Sequence, residues 1–268
     1  MRHANTWKLV GTRAIVRAPI GLLLVMGARG LAAQSDSTLR GDRLSTDVTI
    51  NVHAGPADSV STTYTVHNAA SSRQVLGMFV VRMPFADAGR FLATSSQGWY
   101  ARSGLVQDSM AASWIPLAPT YQLAPGGASA RFTVTAVGIL GIVAYRAQGD
   151  FDLPDADEAD EVDPIRAPPF WTNSFAGVTI GPVPAPGIGT PTSALLDDLD
   201  RMTSQSCDLG WIAPAGVCTS LSAKLTMPEG RAWDPKPFLA ELDAQRGTHV
   251  SEEAYWLLKI DAEYAASH

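Results

Sequence analysis

Phe238-Leu-Ala-Glu-Leu-Asp-Ala-Gln-Arg-Gly247-Thr-His-Val-Ser251-Glu-Glu-Ala-Tyr-Trp-Leu-Leu-Lys-Ile-Asp-Ala-Glu-Tyr-Ala265 reads as two helices broken at one glycine. Asp234 is placed to cap the first, with Pro235 at the first helical position, where no N–H is needed. Gly247 suits the left-handed stop that ends it. Ser251 is placed to cap the second helix, and Glu252 and Glu253 fall in its positive first turn. Val250 and Tyr255 hold the spacing of a hydrophobic staple. The C-terminal part of the chain is therefore helical, and nothing in this stretch has catalytic spacing.

Two more helices precede it. Ser193 is a cap for a run in which Leu195, Leu196, Leu199 and Met202 share one face, with Asp197, Asp198 and Asp200 mostly off it. Val217, Leu221 and Leu225 repeat every four residues and stop before Pro228. Gly210-Trp211-Ile212, then Cys218-Thr-Ser-Leu-Ser-Ala-Lys-Leu225, then Ala244-Gln-Arg-Gly247 and Val250-Ser-Glu-Glu-Ala-Tyr-Trp-Leu-Leu-Lys259 form one pattern. It resembles the FIMAH-type helical domain found near the C-termini of exported bacterial proteins, over residues 192–268. Thr248-His249-Val250 stands where Lys-His-Ile is more usual. The resemblance implies export and surface association, and it carries over no catalytic residue.

Upstream, Gly181-Pro-Val-Pro-Ala-Pro-Gly-Ile-Gly-Thr-Pro191 reads as an extended Pro/Gly linker, placed at 182–191. Before it, from Thr46 to Gly181, the texture is β. Asp47–His53, Ser61–His67 and Ala130–Thr135 alternate apolar and polar residues; Val75–Arg82 is more continuously apolar. Gly98–Ala101, Ala112–Ile115, Gly141–Arg146 and Ser174–Gly181 complete about eight short strands, separated by Gly and Pro turns. The expected fold is an all-β antiparallel sandwich over 46–181, joined to a small all-α four-helix module over 192–268. The sandwich resembles the immunoglobulin-like superfold in its strands and in the Leu123-Ala-Pro-Gly126 turn, without the Cys…Trp…Cys pattern of antibody domains.

Residues 1–33 carry Arg2, Lys8, Arg13, Arg17 and Arg29 and no acid, around the apolar run Ile20–Ala28, with small residues at Ala32 and Ala33. This is the layout of a secretory signal peptide, and the run is too short to span a bilayer. Its removal leaves 15 of the 20 basic residues against all 26 acids, a net of −11. Such a balance argues against nucleic acid and against an anionic lipid surface, both of which need clustered Lys and Arg. In an exported chain the two cysteines, Cys207 and Cys218, favour a disulfide over two reduced, buried thiols.

Residues 150–163 hold eight acids and no base. They read as a solvated insertion. A calcium loop through Asp152, Asp155, Asp157 and Asp160 is the sharper alternative, although the EF-hand glycine and glutamate fall out of register. His53 and His67 are the one candidate histidine pair, facing each other across neighbouring strands. No H-E-x-x-H, G-x-S-x-G or P-loop pattern occurs, and no cofactor is implied. Trp99, Tyr100 and Trp114 are the candidate binding residues, as a row of rings for stacking on sugars, against the alternative, commoner for aromatics in short strands, that they belong to the core. The expected function is a non-catalytic binding or scaffolding protein of the cell surface or periplasm, with a surface protein or polysaccharide as partner. The alternatives are a carbohydrate-binding accessory using that aromatic row, and a hydrolase whose site lacks a recognised motif.

Overall fold

The computed structural model describes residues 44–56, 58–106, 109–149, 174–227 and 232–268. Residues 1–33, read above as a signal peptide, and the acidic stretch 150–163, with Asp152, Asp155, Asp157 and Asp160, lie outside the described residues.

Alternation in the sequence becomes alternation in burial. In β2 (Ser59–Asn68) Val60, Thr62, Tyr64, Val66 and Asn68 are buried, and every residue between them is partly open. Its neighbour β1 (Thr46–Ala54) pairs antiparallel with it, Ile50 opposite Tyr64. The remaining strands are β3 (Leu76–Arg82), β4 (Phe91–Ser95), β5 (Trp99–Val106), β6 (Ser109–Pro116), β7 (Ala130–Val137), β8 (Ile139–Gly149) and β9 (Phe175–Val183). One sheet has the order β1-β2-β7-β4, the other β5-β6-β3-β8-β9. All the pairings are antiparallel. Setting β1-β2-β7 over β3-β8-β9 is the A-B-E over C-F-G arrangement of an immunoglobulin-like sandwich. β9 and β5 are edge strands.

The sandwich interior is aromatic. Phe79 stands 5.8 Å from Trp114, and 5.5 Å from both Phe132 and Tyr145, ring centre to ring centre. Tyr64 crosses between the sheets and donates its hydroxyl to the Ile180 carbonyl at 3.0 Å. Gly181 makes that reach possible, because a Cβ there would fall 2.6 Å from the Tyr64 oxygen.

The helices are α1 (Thr192–Asp208), α2 (Ala215–Ala223), α3 (Lys236–Gln245) and α4 (Glu252–Ser267). The expected caps form on the last two. Asp234 Oδ1 accepts from Lys236 N–H at 3.1 Å, and Ser251 Oγ from Ala254 N–H at 3.4 Å. Gly247 has φ +72°. On α1 the expectation fails: the helix begins at Thr192 after Pro191, so Ser193 lies inside it and caps nothing. Cys207 and Cys218 form the disulfide, Cα–Cα 6.3 Å, tying the end of α1 to α2. The motif segments that carry the family resemblance meet in space. Ser251 N–H donates to Trp211 O at 2.8 Å, Ala213 N–H to His249 O at 2.9 Å, and Ile212 bridges Val250.

Sheet and helices do not keep separate cores. One apolar cluster joins Val52, Val60, Leu140 and Ile180 of the sandwich to Leu199, Leu221, Phe238, Leu242, Leu257 and Leu258 of the helices. The cause is α4, which buries residues around most of its circumference: Ala254, Tyr255, Leu257, Leu258, Ile260, Asp261, Ala262 and Ala265. A helix apolar on so many sides needs neighbours on several sides, and α4 lies against α1, α3, β1 and β8. The Pro/Gly connection is held too. β9 runs on through Pro182 and Val183, and Tyr264 of α4 donates to the Pro186 carbonyl at 3.1 Å. Among the described residues no helix is long and apolar enough to cross a membrane.

Candidate binding cleft

The junction between sheet and helices is incompletely filled. A cleft of about 750 Å³ lies there. One wall is β8 and β9, with Ile139, Leu140, Ile142, Val178 and Val183. Leu195, Met202, Asp198 and Arg201 of α1 form the facing wall, and Gln205, Asp208 and Leu209 extend it. Pro184 and Pro186 of the connection add to the rim, and Asp261 and Tyr264 come from α4. The strand side is apolar throughout, and the polar groups come from the helices. The volume is within the usual range for small-molecule sites.

Asp261 is the most buried of the polar lining, at 5% exposure, and is the one acid or base in the buried class among the described residues. Its place follows from the sheet. β3 covers β8 from Tyr145 to Gly149, so Leu140 lies beyond its end. There the Leu140 N–H donates to Asp261 Oδ1 at 3.3 Å. The carboxylate stands in for a strand that is not there. Its other oxygen, Oδ2, is buried with no hydrogen-bond partner among the described residues. Burial pushes the Asp261 carboxyl well above the usual carboxylate range; the Leu140 amide opposes the shift and the charge on Asp198 adds to it. An unpaired buried oxygen costs about 1–3 kcal/mol, more when charged. Groups left in that state in a native fold are candidates for function.

Near the mouth, Arg201 donates to Asp198 Oδ1 at 3.0 Å and to Gln205 Oε1 at 3.5 Å. The side chains of this ion pair are more than half exposed, so it fixes their positions more than it adds stability. A second groove, of about 890 Å³, runs over the end of β3 beside Arg82, Phe85 and Asp87. Its carboxylate is already engaged, by Gly89 N–H at 2.9 Å and by Arg90. The first cleft is the one with an unspent polar atom.

The structure separates the three rings expected to form a sugar-stacking row. Trp99 is 6% exposed and Trp114 wholly buried; only Tyr100, at 57%, faces solvent. Along a strand, successive residues point to opposite faces. Trp99 therefore turns into the core edge-on to Phe132, at 4.9 Å, while Tyr100 turns out beside its cross-strand partner Ile115. Trp114 stacks on Phe132 at 5.0 Å and donates its indole N–H to the Thr94 carbonyl. The histidine pair does not form either: His53 stands opposite Ser61 and His67 opposite Asp47, far apart along the hairpin. Sequence reasoning passed over Asp261, and a signal for it existed. It sits four residues after Leu257 and four before Ala265, a charge inside the apolar stripe of α4.

No family model matches the chain, and no curated protein does. Among solved structures it is similar to an uncharacterised protein from Nocardia farcinica with an immunoglobulin-like fold, at 14% identity and TM-score 0.30, covering 48% of this chain and 95% of that one. It is also similar to a cohesin module from a family 33 glycoside hydrolase of Clostridium perfringens, at 8% identity and TM-score 0.29, covering 53% of this chain and 98% of that one. A third similarity is to AggA, the major subunit of aggregative adherence fimbriae type I of Escherichia coli, at 10% identity and TM-score 0.21, covering 52% of this chain and 93% of that one. With no TM-score above 0.30, these likenesses bring nothing about binding or activity to this chain.

Proposed function

We propose that this protein is a non-catalytic, exported binding or scaffolding module of the cell surface or periplasm, and that it binds through the cleft between sheet and helices. The observation that carries this reading is the buried carboxylate with an unpaired oxygen in a cleft whose strand wall is apolar. The lining holds carboxylates, one guanidinium, an amide and a phenol, and among the described residues no serine, threonine, cysteine, lysine or histidine joins them. The Cys207–Cys218 bridge supports export, since disulfides persist in oxidising compartments.

The test is a small-molecule screen by protein NMR on the full chain and on Val178→Trp. Val178 lines the cleft from a half-open position on the edge strand, so the indole occupies the space without disturbing the core. Hits that shift the Leu140 amide and vanish in Val178→Trp support the reading. Hits that map elsewhere and ignore Val178→Trp overturn the cleft as the site, and turnover in a hydrolase panel overturns the non-catalytic assignment.

A further inference from the structure

We propose that the cleft takes an organic amine, a small ligand with an apolar body and a cationic nitrogen that pairs with Asp261. This rests on the cleft being the binding site, and it names the chemistry of what enters. The first ground is geometric. Asp261 lines the cleft at 5% exposure, Leu140 N–H already occupies Oδ1, and Oδ2 has no partner among the described residues. A hydrogen-bond donor is what that oxygen lacks.

The second ground is charge. Asp198, Asp208 and Asp261 all line the cleft, against Arg201 as its one cation among the described residues. Arg201 is already committed to Asp198 and Gln205. The other titratable group facing the space is Tyr264, whose hydroxyl donates to the Pro186 carbonyl. The strand wall contributes no charge. An anionic ligand meets the carboxylates of Asp198 and Asp208, and the guanidinium of Arg201 is in use. A cation meets an excess of carboxylates, and its apolar body finds Leu140, Ile142 and Val178 opposite.

The protons balance. In the empty cleft burial favours the protonated acid of Asp261. An alkylammonium ion entering at neutral pH replaces the O–H with an N–H donor. The carboxyl proton leaves to solvent, and an ammonium–carboxylate pair remains. Binding therefore releases up to one proton, and affinity rises with pH as the acid is unmasked.

The probes are n-hexylamine, 1-hexanol and hexanoate, titrated by calorimetry into the full chain in two buffers of different ionisation enthalpy. The Leu140 amide shift is followed by NMR. Hexylamine is expected to bind about tenfold or more tighter than hexanol, as a charge-assisted bond replaces a neutral one, with a buffer-dependent heat reporting the released proton. Hexanoate is expected not to bind. Asp261→Asn keeps an acceptor for Leu140 N–H and should erase the amine preference while leaving hexanol binding in place. Asp198→Asn, at an exposed position, should weaken hexylamine a few-fold; if Asp261→Asn fails to fold, this variant and the proton release decide. Equal binding of hexylamine and hexanol, unchanged by Asp261→Asn, overturns the amine and leaves the cleft standing. No shift of Leu140 with any of the three probes overturns both.

Discussion

The sandwich interior and the junction under α4 are built on opposite principles. Inside the sandwich, ring meets ring around Phe79, and the buried polar tips are spoken for: the indole of Trp114 by the Thr94 carbonyl and the hydroxyl of Tyr64 by Ile180. At the junction the side chains are mainly aliphatic, a cleft remains, and a carboxyl group is half satisfied. Interiors normally close-pack and pair their polar groups. The ring cluster around Phe79 obeys both rules as a scaffold would, although the hydroxyls of Thr62 and Thr179 elsewhere in the sandwich have no partner among the described residues; the junction leaves a cleft and an ionisable group half paired.

Four variants press on that contrast. Phe79→Ala should be the most damaging, costing about 3–5 kcal/mol in a denaturant titration because the rigid stack cannot collapse into the void. Replacing Cys207 and Cys218 together by Ser should cost about 2–3 kcal/mol, the chain-entropy value for so short a loop. Hydrogen exchange should then show α1 and α2 losing protection before β2, β3 and β7; loss spread evenly over both would mean that the shared cluster welds them into one unit. Gly181→Ala should cost about 1–3 kcal/mol by driving Tyr64 off the Ile180 carbonyl. Its effect should appear in near-ultraviolet circular dichroism of the tyrosine.

Asp261→Asn should be the mildest, a gain on the order of 1 kcal/mol at pH 7. The sign follows from titration. In the unfolded chain the carboxyl titrates near its ordinary value of about 3.9, and in the folded chain well above. Between the two the folded state holds the extra proton, so stability is whole below about pH 4 and falls as pH rises through the folded value. Melting curves from pH 4 to 8 should lose that slope in Asp261→Asn. If this variant were as damaging as Phe79→Ala, the contrast between the two regions would collapse.

The readable parts of the chain were those where one face is wet and the other dry. β2 announces itself because Val60, Tyr64 and Val66 alternate with Ser61, Thr63 and Thr65. β4 does not: Phe91 is buried, yet Leu92 beside it is exposed at 63%, so apolar residues on both faces erase the period. The caps at Asp234 and Ser251 act within a few residues and were legible for that reason. The docking of α4 on β8 joins positions 121 residues apart, and no local pattern encodes it. Trp99 and Trp114 read from residue type as core more readily than as platform, and the register places both in the core.

The edge strand beside the cleft has a consequence of its own. Because the Leu140 amide turns to Asp261 and not to Pro182 opposite it, that pair is of the kind whose backbone groups point away from each other. Pro182 thus aims its nitrogen at the open margin of the sheet with no hydrogen to offer, and Pro184 follows two positions on. At that one position an incoming strand finds no donor, so Pro182 removes a rung from the end of the rim nearest the cleft and disfavours pairing there with a peptide or a second copy.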